Sequence, residues 1–170
     1  HTDEQVGRLI AAIEKSGEIN NTLIVYMVGD NGASAEGGLE GTVSELAILN
    51  GIQLGLAELE AKFDEIGGPK TDPHIPVGWA WAVDTPFQWT KQIASHFGGT
   101  RNGLIVHWPK GIRSRNGMRT QFHHVIDIAP TVLEAVGIPE PKMVNGVKQK
   151  PIEGVSMLYS FDNEKAKSRR

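Results

Sequence analysis

Two stretches of this sequence gather residue types able to do chemistry. The first, Gly29-Asp30-Asn31-Gly32-Ala33-Ser34, follows directly on the apolar run Thr22-Leu23-Ile24-Val25-Tyr26-Met27-Val28. Adjacent Asp30 and Asn31 present two hard oxygens, the donor type that calcium prefers, although that ion takes about six to eight of them and two alone would not hold it. Asn31-Gly32 is equally a turn signal. The residues after it, 33–41, do not alternate as a hairpin partner would, so turn and cation pair both stay open. The second stretch, Thr90-Lys91-Gln92-Ile93-Ala94-Ser95-His96-Phe97-Gly98-Gly99-Thr100-Arg101, collects a lysine, a histidine and an arginine around a glycine pair. Lys91 could neutralise charge on an anionic ester, or be one more solvated surface cation. Arg101 suits a hydrogen-bond fork that holds a loop, and His96 is ambiguous between lining a pocket and packing.

The elements that must position these residues can be read from periodicity. Val6, Leu9, Ile10 and Ile13 recur at helical spacing behind Thr2, with Gln5 completing a capping box, so a helix is expected up to about Gly17. The β-branched run 22–28 then reads as a strand buried on both faces, and Gly103-Leu104-Ile105-Val106-His107 as a second buried strand. Helix followed by buried strand implies an α/β layer fold, in which ligands bind beyond the carboxyl ends of the strands. Asp30 and Asn31 stand at such an end. Between the strands, 37–51 has weak patterning. Leu56, Leu59, Phe63 and Ile66 mark one face of a helix closed by Gly67-Gly68-Pro69. The segment 70–90 holds Pro73, Pro76, Pro86, Trp79, Trp81 and Trp89, and reads as a long loop whose indoles either line a pocket or pin the loop to a core. Further on, Asp127 should cap a helix with Pro130 in its first turn and Val132, Leu133 and Val136 on its buried face, ending at Gly137. His123 and His124 are neighbours on an extended segment, point to opposite faces and make a poor shared metal site. The charged tail 163–170 is expected to fray.

Composition excludes several classes. The chain has 170 residues, enough for one domain, and 17 Lys and Arg against 20 Asp and Glu give a net charge of −3. The only basic run is terminal, so the footprint of a nucleic-acid binder is missing. No apolar run approaches the roughly 20 residues of a membrane span, and no signal-peptide pattern opens the chain. Compartment therefore stays open between a cytoplasmic and a periplasmic or secreted parent. There is no cysteine, hence no disulfide, thiolate ligand or cysteine nucleophile among these residues. Opening directly on a helix, without an initiating Met, the chain reads as a piece of something longer.

Taken in order, Asp3-Glu4-Gln5-Val6-Gly7-Arg8-Leu9, Gly29-Asp30-Asn31-Gly32, Thr85-Pro86-Phe87 closely followed by Lys91, Gly98-Gly99-Thr100-Arg101, Val125-Ile126-Asp127-Ile128-Ala129-Pro130-Thr131 and Gly137-Ile138 resemble the C-terminal part of the catalytic domain of the type I sulfatases, the arylsulfatase family of the alkaline phosphatase superfamily. The resemblance implies an α/β fold: a partial alkaline-phosphatase-like sandwich, its mostly parallel or mixed sheet flanked by helices, with the N-terminal half outside this chain. Residues 1–138 would be the C-terminal part of the catalytic domain, and 139–170 the start of a smaller C-terminal subdomain with its tail. It also implies that Asp30 and Asn31 are metal ligands to an active-site calcium shared with two upstream aspartates. Lys91 would be the catalytic lysine at the sulfate, His96 at most a substrate-binding residue, and Arg101 a loop residue. The family's nucleophile, a formylglycine made within a Cys/Ser-x-Pro/Ala-x-Arg motif, has no counterpart here, so the chain alone is expected to be inactive. The expected partner is a small-molecule sulfate ester, and a sheet cut through its middle would also self-associate through its exposed face. A phosphodiesterase or phosphonate hydrolase of the same superfamily, or a non-catalytic module keeping the fold, are the alternatives.

Overall fold

The computed structural model describes residues 1–29 and 31–169. Asp30, one of the two expected metal ligands, lies outside the described residues. In chain order the elements are α1 (Thr2–Lys15), β1 (Ile24–Met27), α2 (Glu45–Leu49), α3 (Leu56–Ala61), α4 (Val77–Asp84) and α5 (Phe97–Thr100). They continue with β2 (Leu104–His107), α6 (Ile128–Val136), β3 (Met143–Val144), β4 (Val147–Lys148) and α7 (Leu158–Phe161). β1 pairs with β2, and β3 with β4 in antiparallel register, Met143 opposite Lys148 and Val144 opposite Val147. The chain divides into two compact units, one formed by 1–26 with 105–170 and the other by 27–104.

In the first unit, α1 begins one residue earlier than its capping motif suggests. His1 takes the N-cap position, so Thr2 is already helical and the expected capping box does not form. Gln5 instead donates its backbone N–H to His1 O (3.1 Å), and its side chain accepts from Arg8 Nη1 (2.6 Å). The apolar stripe of α1 is only half covered, with Leu9 63% exposed. Neither strand is buried on both faces: β1 is half-buried along its length, and in β2 only Val106 is half-buried, the rest being exposed.

The core of this unit is polar at its centre. Asp127 (0% exposed) and Thr131 (1%) lie with Met157, Ser160 and Phe161. The Asp127 side chain does not cap α6. It closes the preceding 3-10 turn by accepting from His124 N (2.9 Å), and reaches across to Val155 N (2.8 Å). The expected face of α6 packs only in part: Leu133 is half-buried but Val132 and Val136 are exposed, whereas the buried Thr131 Oγ1 accepts from Met157 N (2.8 Å) and donates to Asp127 O (2.6 Å). A buried hydroxyl with both roles filled outranks apolar periodicity here, because the backbone groups of α7 and its lead-in need partners. The end of α6 is as expected, at Gly137 in the left-handed region (φ 70°). His123 and His124 do not converge: His123 Nδ1 lies 3.4 Å from Asp127 Oδ2, while His124 Nδ1 accepts from Ile126 N (3.3 Å).

Over its described residues, 163–169, the C-terminal tail is held by contacts to the rest of its unit. Gln121 Nε2 donates to Glu164 O (2.9 Å) and Ala166 O (2.8 Å), and Arg169 lies 4.5 Å over the Tyr159 ring. Asp162 accepts from the backbone N–H groups of Ser114 and Arg113, which hold its carboxyl below the ordinary 3.8.

In the second unit, the weakly patterned stretch holds α2, capped by Ser44 Oγ accepting from Ala47 N (3.4 Å). Residues 42–45 are laced to 72–74 by Thr42 N to His74 O (3.0 Å), His74 N to Thr42 O (3.0 Å) and Glu45 N to Asp72 O (2.9 Å). The helix expected over Leu56 to Ile66 is broken at Lys62 into α3 and a 3-10 turn, and Leu56, Phe63 and Ile66 are exposed. The proline-rich segment is not all loop either. α4 fits between its prolines because Pro76 stands at the N-cap with φ −62° and Pro86 lies beyond the C-cap Thr85, so neither is in the helix interior.

Glycines make the densest contact of this unit. A Cβ on Gly32 would overlap the Gly98 carbonyl oxygen, one on Gly98 the carbonyl oxygens of Trp89 and Gln88, and one on Gly99 that of Ile93. Gly98→Ala is therefore expected to destabilise the chain by about 1–3 kcal/mol through overpacking. Gly78→Ala, in α4 with nothing near its added carbon, should be neutral or stabilising by up to about 1 kcal/mol. Paired urea denaturation curves check both. In the first unit, Asp127→Ala strands the His124 and Val155 N–H groups and should cost about 2–5 kcal/mol in the same measurement.

Candidate active site

The site grows from the loop that follows β1. Gly29 turns the chain at φ 78°. Asn31 is then clasped through its backbone: with the Asn102 amide oriented to satisfy its neighbours, its nitrogen donates to Asn31 O (2.8 Å) and its oxygen accepts from Asn31 N (3.1 Å). Among the described residues no hydrogen bond engages the Asn31 side-chain amide, which leaves its oxygen available as a hard donor. Asn102 carries no motif, and sequence reasoning passed over it.

Two further contacts seat this loop against the second stretch of chemistry. Gly32 N donates to Gly99 O (3.4 Å), and Lys91 N donates to Ala33 O (3.0 Å). Ala33 N in turn donates to both carboxylate oxygens of Asp84, at the end of α4 (3.0 and 3.2 Å). The loop after β1 and the lysine segment, some sixty residues apart in sequence, are thus brought together by backbone bonds. Lys91 itself sits on a strained turn: Trp89 (φ 66°) and Gln92 (φ 76°) both occupy the left-handed region, uncommon for residues with side chains.

The Lys91 ammonium meets Glu36. Lys91 Nζ lies 2.9 Å from Glu36 Oε2, which also accepts from Ser34 Oγ (2.7 Å), and Glu36 Oε1 accepts from Gln92 Nε2 (2.7 Å). The Ser34 hydroxyl first, and the Lys91 ammonium next, hold the Glu36 carboxyl below its ordinary 4.5. Glu36 was not singled out from sequence. A glutamate followed by two glycines has no signature, and its lysine partner comes from 55 residues further on. Beside this pair opens a cleft of about 330 Å³, walled by Val77, Trp81, Trp89, Lys91 and Glu36. The two indoles meet edge to face at 6.0 Å. His96 is not among the residues lining it. It stands at the N-cap of α5, its Nδ1 2.9 Å from Ser95 Oγ, its ring 5.7 Å from the Trp89 ring. Arg101 lies 5.0 Å over Phe87 and 5.5 Å over Phe97, a stacking arrangement that ties the ends of the segment together.

One further group has metal-ligand character. Glu36, Glu45 and His74 bring ligand atoms within 4.8 Å of one another. Both Glu36 oxygens already accept hydrogen bonds, Oε2 from Ser34 and Lys91 and Oε1 from Gln92.

Residues 1–138 match the family described as Sulfatase. The chain belongs to the sulfatase family. Members of that family are hydrolases of sulfate esters with an alkaline-phosphatase-like α/β fold, and the helices and strands of this chain do not conflict with it. Among curated relatives, an uncharacterized sulfatase of Schizosaccharomyces pombe is 28% identical over 139 residues, covering 82% of this chain and 24% of the relative. An arylsulfatase of Klebsiella aerogenes is 27% identical over 169 residues, covering 99% of this chain and 34% of the relative. The chain thus spans a quarter to a third of the length of these relatives. No helix among the described residues is long and apolar enough to cross a membrane.

The ion pair makes a titration prediction. A carboxylate with a depressed pKa contributes stability that is fully present above 4.5 and is lost as pH falls through the lowered value. Lys91→Ala removes one of the depressing partners, so the Glu36 pKa should rise toward 4.5 and this pH dependence should shrink. An NMR titration of the Glu36 carboxyl carbon checks it, and identical titrations in both proteins would mean that the pair is absent in solution.

Proposed function

We propose that this chain forms part of the active site of a calcium-dependent sulfatase acting on sulfate monoesters of the aryl type, with Lys91 as its catalytic cation. The observation that carries the reading is the placement of the Lys91 ammonium in the wall of an indole-lined cleft, next to the loop that bears Asn31. A sulfate monoester is an anion whose leaving oxygen gains further negative charge as the S–O bond breaks. A cation fixed beside that oxygen stabilises the transition state more than the ground state, which is what accelerates a reaction. Trp81 and Trp89 supply an apolar surface for an aromatic leaving group.

Asp30 and Asn31 are the residues of this chain that would hold calcium. Support comes from the chemistry of the donor set, hard oxygens rather than the nitrogen and sulfur that zinc favours, and from the unengaged Asn31 amide. When bound, calcium polarises the sulfate oxygens, and the family's formylglycine, for which these residues have no Cys or Ser motif, supplies the nucleophile. His96 contributes to substrate binding by backing Trp89. Residues 1–138 are assigned to the C-terminal part of the catalytic domain and the rest to a following subdomain, within a partial sandwich whose uncovered apolar face favours self-association. Exposed Leu9, Ile105 and Val136 are of the kind such a face would carry.

The test uses the natural full-length polypeptide. Lys91→Ala is expected to lower kcat for an aryl sulfate by about 100- to 1,000-fold, the range for losing one transition-state donor, with calcium binding intact. Asp30→Ala should lose calcium binding, read by titration calorimetry, and turnover together. The 170-residue chain alone should turn over no aryl sulfate. An unchanged rate in Lys91→Ala withdraws the catalytic role, and preference for phosphate esters over sulfate esters moves the protein to a different ester class.

A further inference from the structure

We infer that Glu36 is the positioning residue of Lys91, with Ser34 and Gln92 orienting its two oxygens. The inference rests on the proposed role of Lys91 and extends it to residues that the family match leaves unassigned. A lysine ammonium rides on a flexible four-carbon stem and is a compact charge without the built-in geometry of a guanidinium. Placing it to better than an ångström therefore needs something at its far end. The backbone of Lys91 is already tied to Ala33 O (3.0 Å), and Glu36 Oε2 holds the other end of the stem at 2.9 Å.

The carboxylate is itself immobilised. Its Oε2 accepts from Ser34 Oγ (2.7 Å), whose oxygen also takes the Glu36 backbone N–H (3.2 Å), so the Ser34 hydroxyl links side chain and main chain of the same residue. Its Oε1 takes the Gln92 amide (2.7 Å), and Gln92 is the residue next to Lys91. Glu36 is thus braced from its own segment and from the lysine's.

Stability does not account for this arrangement. Both partners of the pair are about a third exposed, at 35% and 37%, where an ion pair adds little to folding. Meanwhile Trp89 and Gln92, on either side of Thr90-Lys91, carry a backbone conformation that costs energy. Strain spent around a solvent-accessible pair at the wall of a cleft points to orientation as its use. One of the three ammonium protons is committed to Glu36.

The experiment compares Glu36→Gln, Glu36→Asp, Lys91→Ala and the double variant Glu36→Gln/Lys91→Ala in the full-length enzyme. Glu36→Gln keeps the shape and removes the charge, so kcat for an aryl sulfate should fall about tenfold or more while KM changes less than about threefold. In the Lys91→Ala background the same change should cost nothing further, since a positioning residue acts only through what it positions. Glu36→Asp should recover part of the rate. A second readout is independent of turnover: in protein with nitrogen-labelled lysine, the Lys91 ammonium resonance should be protected from exchange in the wild type and lose that protection in Glu36→Gln. Wild-type kcat in Glu36→Gln, or additive losses in the double variant, overturns the assignment. Unchanged turnover in Lys91→Ala overturns both it and the proposed catalytic role. Lost turnover in Lys91→Ala with unaltered Lys91 exchange in Glu36→Gln overturns only the positioning role.

Discussion

Backbone packed directly on backbone is the constraint on which the 27–104 unit depends. Where Gly32 faces the Gly98 carbonyl, and Gly98 in turn faces those of Gln88 and Trp89, no side chain of any size can intervene. The short approach lets Gly32 N reach Gly99 O and Lys91 N reach Ala33 O. Those two bonds bring the residues that follow β1 against the segment that carries Lys91. The chemical features of the cleft take their geometry from that clasp: the ammonium, the carboxylate opposite it and the Trp89 indole project from two loops that could not be held at this separation by larger residues, and the Trp81 indole projects from α4.

The polar groups then determine what the clasp can be used for. Glu36 converts a flexible lysine into a fixed charge, and Asn102 takes both backbone groups of Asn31 so that the Asn31 amide is not consumed locally. The 1–26 and 105–170 unit follows the same logic for a different purpose. Its buried centre is Asp127 and Thr131, which satisfy backbone N–H groups of His124, Val155 and Met157. In both units the decisive contacts are hydrogen bonds to backbone from side chains, or between loops. That fits a chain whose regular elements are short and whose apolar faces are half covered.

Membership of the sulfatase family gives these contacts a context. The chain matches a quarter to a third of the length of its curated relatives, and under the proposed function it would contribute a cation, a pair of oxygen ligands and an aromatic surface. The Cys/Ser-x-Pro/Ala-x-Arg motif is not among its residues.

Several features were legible in the residues alone because they are local. The helix of α1, the strands at Ile24–Met27 and Leu104–His107 and the glycine stop of α6 all follow from spacing over a few residues. Family membership was legible too, through motifs in fixed order. Other features needed the tertiary structure. The expected buried face of α6 is covered only at Leu133, Val132 and Val136 being exposed, and the prolines around α4 concealed a helix because their exact placement at its ends is not encoded in their number. Glu36 and Asn102 were invisible for a stricter reason. Neither residue has a pattern of its own, and each acquires a role only when a partner 55 or 71 residues away in sequence is brought within hydrogen-bond distance. Periodicity encodes which residues face inward within an element, whereas the partner of a polar side chain is set by how loops meet, and that is decided by the backbone packing at Gly32, Gly98 and Gly99.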